Sequence, residues 1–340
     1  LREVSTIHSL SPTGKGSSNE GGAKTLNIAS GQLTLEANSG IWTSNAMGTS
    51  SDSKPIANLK IQSGSVSLDE AYVASSTFNQ SKAGDVEIEA EGLSLRDSVI
   101  GSANNSQADS GDVTINAGQA VLAENSFIAN GLNIEMLDWG WDPFAPGDAG
   151  DININSDSIR LEGGSYIRNA QIDTSLPGNV SVTSGEISLA DGSYIATESV
   201  PLYQTDFSNR TEVDQNGSVS IKTGSLDLSD SSYVKTTTVM PKRNAGDITI
   251  VADTVSLSGR SSLLSNTEPN IFETEFGLTG LDYGNAGRLE IEAGSLELSD
   301  QSKISSDSFT NGDGGDVNLT ATGISLANRS AIYAGALGQG

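Results

Sequence analysis

The chain has 340 residues and a formal net charge of −25, from 43 acidic and 18 basic residues. This charge excludes the cationic surface that nucleic acids and anionic membranes require, and the absence of cysteine excludes disulfides and thiolate metal sites. The 38 glycines and the abundance of Ser, Thr and Asn favour short strands and turns, so we expect an all-β fold.

Residues 1–21 precede the first repeat, and we expect them to form an irregular N-terminal segment or a partial coil. They contain His8, the only histidine of the chain. The chain begins at Leu1 without a signal peptide and ends abruptly at Gly340, so we expect it to be a fragment of a longer protein.

From residue 22 to residue 340 the chain repeats one pattern, Gly-Asp-φ-x-φ, a polar stretch, φ-x-φ, a Ser/Asp/Gly turn and x-φ, where φ is aliphatic. The clearest copies begin at Gly84, Gly111, Gly150, Gly178, Gly217, Gly246, Gly287 and Gly315, and weaker ones lie near residues 26–28 and 59–61. Alternation with period two predicts three short strands per copy. Stacked copies would form a right-handed parallel β-helix of about ten coils.

The third strand of each copy predicts one inward and one outward column of side chains. The inward column is aliphatic and reads Val73, Ile100, Ile128, Ile167, Ile195, Val234, Leu264, Ile304 and Ile332. The preceding residues form the outward column and read Tyr72, Val99, Phe127, Tyr166, Tyr194, Tyr233, Leu263, Lys303 and Ala331. We interpret its aromatic run as a self-stacking ladder that stiffens the solenoid, with a ligand-stacking platform as the alternative.

The position after each repeat glycine forms a polar column. It holds Asp85, Asp112, Asp151, Asn179, Ser218, Asp247, Arg288 and Asp316. Asp, Asn and Ser all form hydrogen bonds to nearby backbone in turns, whereas a calcium ladder needs an acid at every level. We therefore expect turn caps and no metal site, with calcium binding as the open alternative.

Every second copy carries an insertion after its third strand, because the spacing of the repeat glycines alternates between 27–29 and 39–41 residues. The insertions span residues 131–149, 199–216 and 266–286. They hold nearly half of the aromatic residues of the chain, namely Trp139, Trp141, Phe144, Tyr203, Phe207, Phe272, Phe276 and Tyr283. These rings either pack on the outside of the coils or, beside carboxylates, bind the apolar faces and hydroxyl groups of a sugar.

The sequence gives little basis for an active site. His8 lies outside the repeats, so no catalytic triad or histidine-based metal site can form around a core residue. Carboxylate pairs for glycoside hydrolysis could come from Glu135, Asp138 and Asp142, or from Glu273 and Glu275. Among 43 acids such pairs arise by chance, so we expect no enzymatic activity, no catalytic residue and no cofactor.

Two repeat copies, Asn244-Ala245-Gly246-Asp247-Ile248-Thr249-Ile250 and Asn285-Ala286-Gly287-Arg288-Leu289-Glu290-Ile291, resemble those of filamentous-haemagglutinin-like exoproteins, the large secreted partners of two-partner secretion systems. The resemblance spans roughly residues 22–335. It implies a β-helix, export through an outer-membrane barrel, and a role in adhesion, aggregation or biofilm. The Asn-Pro-Asn-Gly motif of the secretion domain of that family is missing, and its repeat pattern lacks the aromatic insertions.

The sequence therefore predicts a monomeric segment of a secreted or cell-surface adhesin from a Gram-negative-type bacterium or a cyanobacterium. Its loops would bind a glycan, an exopolysaccharide or a host surface receptor. A purely structural stalk and an autotransporter-like passenger are the alternatives, and a β-helical polysaccharide lyase or glycoside hydrolase is the remaining one.

Overall fold

The computed structural model describes residues 6–11, 25–45, 56–77, 81–104, 108–131, 147–172, 175–200, 214–269 and 281–337. All regular structure in these ranges is β-strand. Across the same ranges there is no helix that is long and apolar enough to cross a membrane.

Ten long strands form one parallel sheet, which we call the long-strand sheet. They are β2 (Leu26–Glu36), β4 (Leu59–Asp69), β6 (Val86–Arg96), β8 (Val113–Ala123), β10 (Ile152–Leu161), β12 (Val180–Leu189), β15 (Val219–Leu228), β18 (Ile248–Leu257), β20 (Leu289–Leu298) and β22 (Val317–Leu326). Each strand pairs in register with the long strand of the next coil, as Val180 pairs with Val219.

Eleven shorter strands form the second parallel sheet, the short-strand sheet. They are β1 (Thr6–Ser11), β3 (Gly40–Asn45), β5 (Tyr72–Thr77), β7 (Val99–Asn104), β9 (Phe127–Gly131), β11 (Tyr166–Ile172), β13 (Tyr194–Val200), β16 (Tyr233–Thr238), β19 (Ser262–Thr267), β21 (Lys303–Ser308) and β23 (Ala331–Ala336). A pair of two-residue strands, β14 (Asp214–Gln215) and β17 (Arg243–Asn244), forms a third, minimal sheet.

The alternation of long and short strands along the chain confirms a parallel β-solenoid of about ten coils. The prediction of three separate strands per coil is wrong in one respect, because the first two segments run together as one strand that bends. In β12, Gly185 and Glu186 are both exposed between inward Ser184 and Ile187, so the strand changes phase there. The Ser184 hydroxyl donates to the Glu186 carbonyl oxygen at 2.8 Å, which fixes the bend.

The apolar core runs the length of the solenoid. Each central long strand contributes four inward aliphatic side chains, as in Val180, Val182, Ile187 and Leu189, all at most 1% exposed. The short strands add the predicted aliphatic column, with one correction. Val234 pairs with Leu263, and Leu263 pairs with Ile304, so Leu263 faces inward and Leu264 does not. The inward residue of that coil therefore comes one position earlier than expected, six residues after Leu257, as Val234 comes six residues after Leu228.

Candidate functional site

The three predicted insertions leave the solenoid from one edge of the short-strand sheet. The structure follows the chain to the ends of β9, β13 and β19, which lie two positions apart in the strand order. A strand spacing of about 4.8 Å places successive departure points roughly 10 Å apart. We call this edge the insertion edge, and its position after the third predicted segment is as the sequence indicated.

Most of the predicted ligand-binding aromatic residues lie outside the described residues. These are Trp139, Trp141, Phe144, Tyr203, Phe207, Phe272 and Phe276. Tyr283 is described, and it is only 7% exposed. It forms an antiparallel bridge with Pro241, and its backbone N–H donates to Asn311 Oδ1 at 2.9 Å. Little of the Tyr283 ring is therefore accessible to a ligand.

Buried amide side chains hold the chain where the first insertion returns. The carbonyl oxygen of Gly147 accepts hydrogen bonds from Asn104 Nδ2 at 2.6 Å and from Gln171 Nε2 at 2.8 Å. Asn104 and Gln171 are fully buried and belong to β7 and β11, the coils on either side of the departure point. Buried hydrogen bonds of this kind are costly to break, so the base of the first insertion is fixed to the solenoid interior.

A buried arginine performs the same role at the second insertion. Arg243 is fully buried, and its guanidinium donates to the carbonyl oxygen of Ser175 and to Ser199 Oγ, both at 2.8 Å. The Ser199 hydroxyl donates in turn to Asn216 Oδ1 at 2.5 Å. Because Ser199 is the first residue of the insertion and Asn216 is the last, this chain of bonds joins the two ends of the insertion to each other.

The third insertion is tied back by its neighbouring coils. Asn311 Nδ2 donates to the Leu281 carbonyl oxygen at 3.3 Å, and the Lys242 N–H donates to the Asp282 carbonyl oxygen at 2.7 Å. Near the start of the insertion, the Glu268 N–H donates to the Thr238 carbonyl oxygen at 2.9 Å. All three insertions thus depart from and return to hydrogen-bonded backbone, which gives them a rigid base.

An aromatic ladder runs along the outer side of the short-strand sheet, at the end where the short strands begin and opposite the insertion edge. The rings of Phe127, Tyr166, Tyr194 and Tyr233 stack with centroids 4.7 to 4.8 Å apart and planes within 9° of parallel. Each inner ring has both faces covered by its neighbours. This geometry supports the self-stacking interpretation, because the faces that a sugar would need are already occupied.

Charged side chains close over the ladder. Glu198 accepts from Lys235 Nζ at 2.5 Å and lies 3.6 Å from Arg168 Nε. The Arg168 guanidinium carbon lies 5.6 Å from the centroid of the Tyr166 ring, and Lys235 Nζ lies 5.2 Å from that of the Tyr233 ring. Burial raises the phenol pKa of Tyr194 and of Tyr233 to about 12, so both hydroxyl groups stay protonated over the physiological range.

The polar column after the repeat glycines caps backbone groups, as predicted, but it does so between coils. The side chain in one coil accepts a hydrogen bond from the backbone N–H of the equivalent residue in the next coil. Asp112 N donates to Asp85 Oδ1 at 3.0 Å, Asp151 N to Asp112 Oδ1 at 2.8 Å, and Asn179 N to Asp151 Oδ1 at 2.7 Å. The described residues contain no group of three or more His, Cys, Asp or Glu side chains arranged to hold a metal ion.

A second polar column lies inside the solenoid and was not predicted from the sequence. Fully or almost fully buried Ser, Thr and Asn side chains of the short strands bind the repeat glycines across the coil. The Asn169 side chain donates to the Gly150 carbonyl oxygen at 2.7 Å and accepts from the Gly178 N–H at 3.1 Å. A Cβ at Gly178 would overlap the Gly150 carbonyl oxygen, so the glycines allow this close approach of the coils. The signal was the recurrent Ser, Thr or Asn two residues after the inward aliphatic residue.

The single histidine lies away from the insertion edge. His8 is on β1, the first strand of the short-strand sheet. Its Nε2 lies 2.8 Å from Ser44 Oγ, and its ring centroid lies 4.7 Å from that of Trp42. Partial burial lowers its pKa.

No family model, curated protein or solved structure matches this chain.

Proposed function

We propose that this chain is a stiff stalk segment of a large secreted or cell-surface adhesin, and that its insertions bind a glycan or exopolysaccharide. The observation that carries this proposal is the insertion edge, where three insertions leave one side of a continuous solenoid at equal intervals. Binding groups on such a base would keep a fixed spacing, which suits a repetitive polymer or a surface receptor.

The solenoid supports the stalk role. Strand pairing and the aliphatic core continue without a break from β2 to β22, and about ten levels at about 4.8 Å each give a rod of roughly 45–50 Å. We propose a binding role rather than a catalytic one, because this role follows from the regular spacing of the insertions along one edge. Export through an outer-membrane barrel remains part of the proposal through the repeat resemblance.

A purely structural stalk is the second candidate, and the burial of Tyr283 favours it. If the other insertion aromatics also serve packing, the chain has no ligand and only spans distance. The two candidates differ in a single measurable property, namely binding that depends on the insertions.

A glycan array tests the proposal with three purified forms of the chain. The first is unaltered; the second lacks residues 132–146, 201–213 and 270–280; the third carries Trp139→Ala, Trp141→Ala, Tyr203→Ala and Phe276→Ala. We expect binding of the first form only, with far-UV circular dichroism confirming that all three keep their β structure. Equal binding by the first two forms would exclude the insertions, and no binding by any form would leave the structural stalk.

A further inference from the structure

The outward column that holds the aromatic ladder is interrupted at Val99. Tyr72 and Phe127 lie one strand to either side of Val99, so Tyr72 is separated from the continuous stack that begins at Phe127. Two strand steps of about 4.8 Å each place the Tyr72 and Phe127 backbones roughly 10 Å apart, a distance that would admit one more ring. Because valine is shorter than an aromatic side chain, the column has a gap at this level.

Tyr72 turns away from this gap and towards the preceding coil. Its ring occupies the place where a Cβ of Gly40 would lie, so the absence of a side chain at Gly40 allows this position. One face of the ring stacks on Trp42, with centroids 5.2 Å apart and planes 24° from parallel. Trp42 is the only ring stacked on Tyr72 among the described residues, and Tyr72 is partly exposed. One ring face therefore remains available for a ligand.

An open cavity of about 490 Å³ lies beside the Tyr72 ring, within the range of roughly 300–1,000 Å³ that is usual for small-ligand sites. It is lined by Asn38, Glu70, Ala71, Tyr72, Asp97 and Val99. Asn38, Glu70 and Asp97 lie in successive turns that join long strands to short strands. These turns are bonded to each other, since the Asn38 N–H donates to the Glu70 carbonyl oxygen at 2.6 Å. The cavity thus combines a ring with a row of polar side chains on a fixed backbone.

The charge of this cavity favours a cation. Glu70 and Asp97 contribute two carboxylates, and Asp97 forms no ion pair among the described residues. Arg96 immediately precedes Asp97, but its guanidinium is held by Asp69 and by Glu124, whose Oε2 lies 3.1 Å from Arg96 Nη1. The face of an aromatic ring also attracts cations. The ring and the carboxylates therefore favour the same kind of ligand.

We propose that this cavity binds a guanidinium group, such as the one that an arginine side chain of a partner protein presents. A guanidinium ion is planar, stacks on aromatic faces and forms paired hydrogen bonds with carboxylates, so it can use Tyr72, Glu70 and Asp97 together. A compact quaternary ammonium ion is best held by a cage of several rings, and the cavity is lined by one. The site lies where the short strands begin, opposite the insertion edge, and it does not depend on the insertions binding a glycan.

Ligand-observed saturation-transfer NMR tests the proposal with the purified chain and two blocked tripeptides, Gly-Arg-Gly and Gly-Lys-Gly. Each peptide carries one positive charge, so general attraction to an acidic chain acts on both. We expect the arginine peptide to bind at least about fivefold more tightly, because only the guanidinium group can stack and pair with carboxylates at once. Methylguanidinium should displace the arginine peptide, which would show that the guanidinium group itself is recognised.

Three variants place the binding in the cavity. Tyr72→Ala removes the ring, and the double substitution Glu70→Gln with Asp97→Asn removes the charges. Each should weaken binding of the arginine peptide at least about fivefold. Val99→Tyr copies Tyr166 of the ladder and fills the gap, so it should abolish binding without lowering the melting temperature of the chain.

A matched control removes two charges elsewhere. Asp191→Asn with Asp230→Asn replaces two exposed carboxylates in turns of the same kind, and this chain should bind the arginine peptide as the unaltered chain does. Circular dichroism confirms that every variant keeps its β structure. Equal affinity of the two peptides for the unaltered chain would overturn the proposal, as would undiminished binding by the folded Val99→Tyr chain.

Discussion

At the scale of a single residue, the ionisation of Asp307, a buried residue of β21, makes folding depend on pH. Its pKa is raised chiefly by burial, so the folded state holds the proton more tightly than the unfolded chain does. The resulting stabilisation is fully present below the unfolded pKa of about 3.9. It is lost as the pH rises through the higher pKa of the folded state.

We therefore predict that Asp307→Asn becomes progressively more stable than the unaltered chain as the pH rises from about 4 towards neutrality. Asn cannot ionise, and it matches Asn266 in the coil below. Melting temperatures of both chains across this range measure the difference. Asp313→Asn, at an exposed site, should show no such trend, and a constant difference for Asp307→Asn would contradict the burial effect.

The structural roles of two interior polar residues could not be predicted from the sequence. Asn169 is fully buried and binds two glycines, yet in the sequence it is one polar residue among many Ser, Thr and Asn. Only the closure of the coil brings it to Gly150 and Gly178. Arg243 is a similar case, because its partners Ser175 and Ser199 precede it by 68 and 44 residues. The sequence shows that a polar residue recurs at the position of Asn169, but it does not show which distant groups Asn169 or Arg243 will bind.

At the scale of the element, the aromatic ladder joins β9, β11, β13 and β16. Tyr194 stands within it and contacts Tyr166 at 4.8 Å and Tyr233 at 4.7 Å. Aromatic pairs contribute about 0.5–1.5 kcal/mol each beyond the area that they bury. The ladder therefore stabilises the short-strand sheet where its strands begin, rather than offering ring faces to a ligand.

We predict that Tyr194→Val, which copies Val99 at the equivalent position of β7, destabilises the chain by about 1–3 kcal/mol through the loss of two stacked pairs. Chemical denaturation followed by circular dichroism measures the loss. Tyr194→Phe keeps both stacked pairs and should cost clearly less. Equal losses for the two substitutions would assign the stabilisation to the hydroxyl group.

The strand pattern was largely readable from the sequence, because one inward face repeats in every coil. Val180, Val182, Ile187 and Leu189 are all inward as predicted. The sequence did not show that these two apolar pairs belong to one bent strand. A change in the inward–outward alternation between them looks the same in a sequence as a gap between two separate strands. Leu264 was predicted to face inward in place of Leu263, because either of two adjacent leucines can fill an inward aliphatic position. The pairing of Leu263 with Val234 of the neighbouring strand identifies Leu263 as the inward residue.

At the scale of the whole molecule, a solenoid lacks the single closed core of a globular domain. Each coil contacts the coils before and after it, so stability is the sum of coil and interface contributions. Among the described residues, the long strands of the end coils, β2 and β22, each pair with one neighbour only, and the burial of β22 reflects this. Ile324 and Leu326 of β22 are 48% and 46% exposed, whereas the equivalent Leu296 and Leu298 of β20 are at most 1% exposed.

This asymmetry predicts a gradient of local stability along the rod. Hydrogen–deuterium exchange measured by mass spectrometry should be slowest for peptides from β10, β12 and β15, which have several coils on each side, and fastest for β2 and β22. The bases of the insertions are hydrogen-bonded to the solenoid interior through Asn104, Gln171 and Arg243. The central strands should therefore still exchange slowly when the insertions are shortened by removing residues 132–146, 201–213 and 270–280. Uniform exchange along the chain would contradict additive coils and indicate a single cooperative unit. A loss of central protection on deletion would instead show that the insertions stabilise the rod that carries them.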